Sequence, residues 1–285
     1  MPRNVALLFP GQGSQTSDMR EYVEAHRPDL LALARSEVSD DLFERAAEGT
    51  RWAQPAIFCA ALAGYEVIKD RYDPALMAGH SLGEISALVA AGALEAEDGL
   101  RLVAARGSLM AQAAEETGDG GMLAVRVRER APVEEVAEAT GLALANDNAP
   151  DQLVLSGPNA SLDEAQGLLN ERKVRAKRLP VAGAFHSPLM EPAVEPFRAL
   201  VGQVTLSELS VPVMSCVTAA PFVDVRAQLV EALTRPVRWT AVLRALQERG
   251  ITNFVETGPG RVLTGLTRKT LHGIDAEAPL EVARA

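Results

Sequence analysis

Short apolar runs alternate along the chain with longer stretches in which apolar residues recur at helical spacing. The runs at 5–9 (VALLF), 76–78, 211–215 and 253–256 read as buried strands, because a strand covered on both faces shows no polar alternation. The longer stretches predict helices over 29–47, 55–70, 82–91, 97–115, 226–233 and 240–249. Pro55 falls in the first turn of one of these, where its missing N–H costs nothing, and Glu97 and Asp98 sit at the start of another, where carboxylates complement the helix dipole. Strand and helix in alternation predict an α/β fold with a largely parallel sheet.

The middle of the chain has a different rhythm. After a glycine-containing loop at 118–121 come MLAVRV, a helix over 132–139, LALAND, DQLVLSGP, a helix over 161–173 and VRAKRLPV. Strand, helix, strand, strand, helix, strand is the order of a split βαβ unit. It predicts a ferredoxin-like subdomain at 123–184, inserted into a core formed by 1–122 and 185–285. No internal repeat or low-complexity segment appears.

Composition narrows the function classes. With 285 residues, 47% apolar and 23% charged, the chain has the make-up of a folded globular protein, and the length suits two domains or one with an insertion. The longest stretch without a charged residue, 209–223, is interrupted by Pro212 and Pro221 and is too short to span a bilayer. The opening MPRNVALLFPGQG lacks the apolar region of a signal peptide, so a cytoplasmic location is expected. The two cysteines, Cys59 and Cys216, are too far apart in sequence for a metal motif and too few for a disulfide framework. A net charge of −10 repels a phosphate backbone and argues against nucleic acid as the partner.

Gly79-His80-Ser81-Leu82-Gly83 spells GxSxG between an apolar strand and an Ala-rich helix. That is the setting of a nucleophile elbow. Small residues on both sides permit a sharp turn that lifts the serine hydroxyl clear of the sheet and aims the following N–H groups at any oxyanion formed there. A serine nucleophile needs a neutral base, and only four histidines exist. His26 and His272 lie in polar surroundings. His80 adjoins Ser81, and neighbouring side chains on a turn diverge, so it supports the elbow instead of accepting the proton. His186, in the charge-free LPVAGAFHSPLM, remains as the base.

These residues belong to a longer series. FPGQGSQ (9–15), QPA (54–56), GHSLGE (79–84), Arg106 in ARGSLM, GAFHSPLM (183–190), RPVRW (235–239) and GPGRVLTGL (258–266) occur in this order. Together they closely resemble the malonyl-CoA:acyl-carrier-protein transacylases and the related acyltransferase domains of polyketide synthases. The resemblance runs from Val5 to about Arg268 and implies an α/β-hydrolase-like large domain with a ferredoxin-like insert. It implies that Ser81 is the nucleophile, that His186 is the general base and acid, and that Arg106 holds the free malonyl carboxylate, a task suited to a planar guanidinium. It also implies an oxyanion hole from the backbone N–H groups of Gln12 and Leu82. The family usually carries Gln at the position of Ala232, whose main-chain carbonyl helps to orient the histidine and survives the change. A Phe at the position of Phe185 accompanies malonyl use in preference to methylmalonyl.

The implied partners are malonyl-CoA, as a substrate, and an acyl carrier protein, with no metal or redox cofactor. Lys173, Arg175, Lys177 and Arg178, next to Arg172, stand out against the acidic chain. They suit either a docking face for the carrier or coenzyme A phosphates, or a charged strand edge that resists aggregation. GxSxG also serves esterases and thioesterases, and a carrier-binding module with a dead site is the non-enzymatic alternative. Arg106 speaks against the former, and retention of Ser81 and His186 against the latter. Within the family, a stand-alone polyketide acyltransferase and a transacylase subunit of malonate decarboxylase share the same chemistry.

Overall fold

The computed structural model describes residues 4–279, so the outermost ends of the expected core, 1–3 and 280–285, lie outside the described residues. From the N-terminus the elements are β1 (Val5–Phe9), α1 (Met19–His26), α2 (Pro28–Glu37), α3 (Thr50–Ile68), β2 (Leu76–Gly79), α4 (Gly83–Ala90) and α5 (Ala96–Thr117). Then follow β3 (Gly120–Arg126), α6 (Ala131–Thr140), β4 (Ala143–Ala149), β5 (Gln152–Pro158), α7 (Asn159–Glu171) and β6 (Arg175–Arg178). After a 3₁₀ turn at Pro188–Ala193 come α8 (Val194–Gln203), β7 (Val213–Met214), α9 (Val225–Glu231), α10 (Trp239–Glu248), β8 (Asn253–Glu256), α11 (Val262–Thr270) and β9 (Asp275–Glu277).

The larger sheet is parallel throughout, in the order β7-β2-β1-β8-β9. Its strands β1, β2 and β7 are apolar on both faces because both faces are covered. In β1, Leu7 and Phe9 enter the cluster beneath α3 and α5, while Ala6 and Leu8 enter the cluster beneath α10 and α11. The smaller sheet is antiparallel, in the order β4-β5-β3-β6. Leu123, Val125, Leu153 and Leu155 on one of its faces share a core with α6 and α7. Met122, Ala145 and Val154 on the other face join the large core instead. The small sheet thus lies as a wall against the large unit, and the loops after β1 and β2 open toward it.

Three expectations need correction. The helix expected over 29–47 ends at Glu37, where Val38 leaves helical dihedrals and the side chains of Ser39 and Asp41 bond to each other, a local alternative to continuing the helix. Pro55 is inside α3 and not in its first turn. The helix already starts at Thr50, with the Gly49 carbonyl accepting from Trp52 and Ala53, so proline removes one bond close to the start. The segments 19–26, 194–203, 262–270 and 275–277 form elements that the apolar pattern did not single out. Among the described residues no helix is long and apolar enough to cross a membrane.

Candidate active site

The carboxyl ends of β1 and β2 lie side by side, with Phe9 opposite Gly79, and ligand clefts of parallel sheets form at such ends. Gly79 and Gly83 flank the turn because no larger residue fits. A Cβ on Gly83 would stand 2.2 Å from the Phe9 carbonyl oxygen, and one on Gly79 would stand 2.0 Å from the Gly83 backbone. Between them Ser81 is held at a φ of 54°, a left-handed conformation that a non-glycine residue adopts only when its surroundings impose it. His186 has the same constraint, with φ at 57°.

Ser81 Oγ and His186 Nε2 are 2.8 Å apart. Nδ1 of the same ring lies 3.2 Å from the Arg235 carbonyl oxygen. A carbonyl can only accept, so Nδ1 carries the ring proton and Nε2 presents a lone pair to the serine hydroxyl. Burial holds His186 neutral, followed by the positive charge of Arg106, and together they push its pKa down to about 3. The imidazole is therefore free of its second proton across the whole neutral range.

Arg106 projects from the middle of α5 and is 3% exposed. Its guanidinium donates to Gln54 Oε1 at 2.8 Å and to Ser81 Oγ at 3.1 Å. Thr50 Oγ1 accepts from Gln54 Nε2 at 2.8 Å, which fixes the amide so that its oxygen faces the arginine. Burial lowers the Arg106 pKa to about 10, so the group stays charged, yet both of its hydrogen-bond partners are neutral. A buried cation without a salt bridge is costly, and an incoming anion offsets that cost.

Gln12, Ser81, Leu82, Arg106, Phe185 and His186 all line one cavity of about 340 Å³. Among the described residues, neither the Gln12 nor the Leu82 backbone N–H has a hydrogen-bond acceptor. Gly11 brings the Gln12 loop against the elbow, since a Cβ there would lie 2.4 Å from the His80 carbonyl oxygen. Phe185 is 7% exposed and has its ring edge over Gly183, beside the catalytic-type pair. The opposite wall comes from the small sheet, through Ala124, Asn146, Asn148 and Val154.

His80 ties the two units together. Its Nε2 lies 2.8 Å from Asn148 Oδ1 on β4, and its ring meets Trp239 edge-on at 5.3 Å. The expected supporting role thus has a partner that no spacing could reveal. Gln54 and Glu84 are further site residues that residue-by-residue reading passed over, although both stand inside the quoted strings QPA and GHSLGE. Glu84 is buried under the elbow with Oε1 accepting from the Cys216 N–H at 2.7 Å, and burial pushes its pKa up to about 7.

The basic cluster does not line the cavity. Arg178 turns back onto Asp163 (2.9 Å) and the Asn159 carbonyl (3.0 Å), and Arg172 pairs with Glu135. Lys173, Arg175 and Lys177 are exposed, the last two on edge strand β6. Lys177 is opposite Ala124, a cavity-wall residue, so the cations continue the sheet face that covers the cavity.

The sequence profile of the acyl transferase domain matches residues 30–284. The chain is 41% identical to the polyketide biosynthesis protein ThaF of Burkholderia thailandensis over 93% of its own length, but spans only 24% of that longer protein. It is 37% identical to the malonyl CoA-acyl carrier protein transacylase of Bacillus subtilis, covering 93% of this chain and 90% of the relative. The crystal structure of malonyl-CoA:acyl carrier protein transacylase from Xanthomonas oryzae superposes with a TM-score of 0.91 at 36% identity, covering 100% of this chain and 98% of that one. With the matched profile, the full-length relatives and the shared fold in agreement, the chain belongs to the acyl transferase family that includes the malonyl-CoA:acyl carrier protein transacylases.

Proposed function

We propose that this protein moves a malonyl group from malonyl-CoA to the phosphopantetheine thiol of an acyl carrier protein, by way of a malonyl ester on Ser81. The observation that carries the proposal is Arg106: a buried, charged guanidinium hydrogen-bonded to the hydroxyl of a serine that is itself hydrogen-bonded to a neutral histidine. A nucleophile beside a cation that has no salt-bridge contact suits an acyl group that bears its own carboxylate. An ordinary esterase substrate would offer that guanidinium no direct anionic partner.

In this reading, Nε2 of His186 takes the Ser81 proton as Oγ attacks the thioester carbon. The negative charge on the carbonyl oxygen falls to the Gln12 and Leu82 N–H groups, fixed dipoles that need no reorganisation. Collapse of the tetrahedral intermediate breaks the C–S bond, and His186 returns its proton to the departing coenzyme A sulfur. The carrier's thiol then enters, gives its proton to Nε2 and attacks the ester carbon; the bond from that carbon to Ser81 Oγ breaks, and the imidazolium returns the proton to Oγ, regenerating Ser81. The Arg235 carbonyl stabilises the transient imidazolium through Nδ1–H, so no third acidic residue is required. These steps call for no metal or redox cofactor. Phe185 narrows the space beside the acyl C2 and favours malonyl over branched groups.

The same reading extends to the architecture. The parallel sheet with its serine elbow supports an α/β-hydrolase-like core, and the order β4-β5-β3-β6 with two helices on one face supports a ferredoxin-like insert at 123–184. Lys173, Arg175 and Lys177 form a docking face for the acidic carrier or for coenzyme A phosphates, with Arg178 braced behind them by Asp163. A cytoplasmic location suits both the substrates and the buried, free thiols of Cys59 and Cys216. Identity with ThaF favours a polyketide pathway as a second setting for the same chemistry.

Intact-mass measurement after mixing with malonyl-CoA, with and without carrier protein, tests the proposal. A malonyl adduct that persists alone and is discharged by the carrier is expected. Rapid release of free malonate without carrier would make the protein a hydrolase.

A further inference from the structure

Glu84 is a buried charge for which the reaction steps above have no use. It lies one helical turn after Ser81, its N–H donating to the Ser81 carbonyl at 3.0 Å, and it is 1% exposed. Oε1 accepts from the Cys216 N–H, whereas Oε2 is buried and has no hydrogen-bond partner among the described residues. The helix α4 that carries it packs against α3, α5, β1, β2 and β7. Of the groups facing Glu84 from these elements, the Ser215 hydroxyl and the Cys216 thiol next to β7 are neutral, the thiol being pushed well up by burial. His80 and His186, across the elbow, are both held neutral by burial. Arg106, on the α5 helix that packs against α4, donates to the Ser81 hydroxyl while the Glu84 N–H donates to the carbonyl of the same residue, and across Ser81 each of the two favours the charged form of the other.

We propose that Glu84 is the resident counter-charge of Arg106 and takes up a proton from solvent when a malonyl carboxylate occupies the guanidinium. The inference rests on the reading that Arg106 holds that carboxylate. In the empty site one carboxylate balances one guanidinium. A bound malonyl group makes two carboxylates against one cation in a buried cluster. Protonation of Glu84 at its unpartnered Oε2 restores neutrality with no movement of the backbone. An acetyl group brings no charge and leaves Glu84 ionised. Burial has already raised Glu84 to about 7 in the empty site, so a second anion has only a short way to move it.

The sign follows from linkage. The malonyl form binds more protons than the free form, so malonyl affinity falls as pH rises above the empty-site value, by up to about tenfold per unit, and acetyl affinity does not. The direct test acylates the full chain with malonyl-CoA or acetyl-CoA in dilute buffer at about pH 8, with a pH indicator to count protons and intact mass to count adducts. The expected result is nearly one proton more per malonyl-serine than per acetyl-serine, lost in Glu84→Gln. An equal proton change for the two acyl groups, or uptake retained in Glu84→Gln, overturns the proposal while leaving the transferase reading intact. Absence of any malonyl adduct overturns both. Should Glu84→Gln fail to fold, the comparison of the two acyl groups on the unaltered chain decides alone.

Discussion

At the residue scale, the site is a set of groups whose charge states are fixed by burial before substrate arrives. His186 is neutral because a second proton would be placed on a buried ring beside Arg106, and Arg106 stays charged despite burial because its intrinsic basicity is so high. This asymmetry yields a discriminating experiment. Arg106→Ala should lower kcat/KM for malonyl-CoA steeply and leave acetyl transfer unchanged or raised, since an uncharged acyl group loses no partner. Parallel loss for both substrates would show that Arg106 supports the fold and not the carboxylate. Phe185→Ser should narrow the preference for malonyl over methylmalonyl. A methyl-sized difference in a pocket amounts to about 1–3 kcal/mol, so the ratio of kcat/KM values should move by roughly 10- to 200-fold at most. A common fall for both substrates would make the ring a packing element.

At the element scale, two strand ends and one strand edge share the work. The ends of β1 and β2 present Gln12 and Ser81 because parallel pairing brings Phe9 level with Gly79. Edge strand β6 continues the face of the small sheet outward from the cavity and carries its cations where no neighbouring strand covers them. Charge reversal at Lys173, Arg175 and Lys177 should therefore raise the apparent KM for the carrier protein, with an effect that fades as salt is added, and leave acylation by malonyl-CoA nearly unaltered. Arg178 is left out of this variant because its guanidinium is already committed to Asp163. A carrier KM that stays constant at low salt would assign the cluster to protection of the strand edge.

At the scale of the whole molecule, the cavity exists only because the small sheet closes over the large one, and the His80–Asn148 hydrogen bond crosses that junction beside Ser81. Asn148→Ala should leave His80 Nε2 without its partner in a half-buried position, at a cost of about 1 kcal/mol in stability, measurable by urea unfolding. It should also lower the rate of acylation, because the elbow residue next to Ser81 loses its anchor. Unchanged stability and rate would mean that packing against Trp239 alone holds the ring.

The sequence determined by itself those features that are local or exclusive. The run at 5–9 matches β1 because a strand buried on both faces favours an unbroken apolar series, and Phe254-Val255 supplies the shorter apolar pair at the centre of β8. The serine turn was legible because a Cβ on either flanking residue would come within about two ångströms of neighbouring backbone, which leaves glycine as the sole choice on both sides. His186 was legible because four histidines are few enough for elimination. Helix limits at 29–47 and at Pro55 were not, since a chain end-point depends on caps and neighbours more than on apolar period. Only the tertiary structure decided the partners: Asn148 for His80, the Arg235 carbonyl for His186, Gln54 for Arg106 and Cys216 for Glu84. The physical reason is that burial removes water from each of these groups, and a dehydrated donor or charge must then be answered by whichever residue the fold brings within three ångströms or so, at a sequence distance no periodicity encodes.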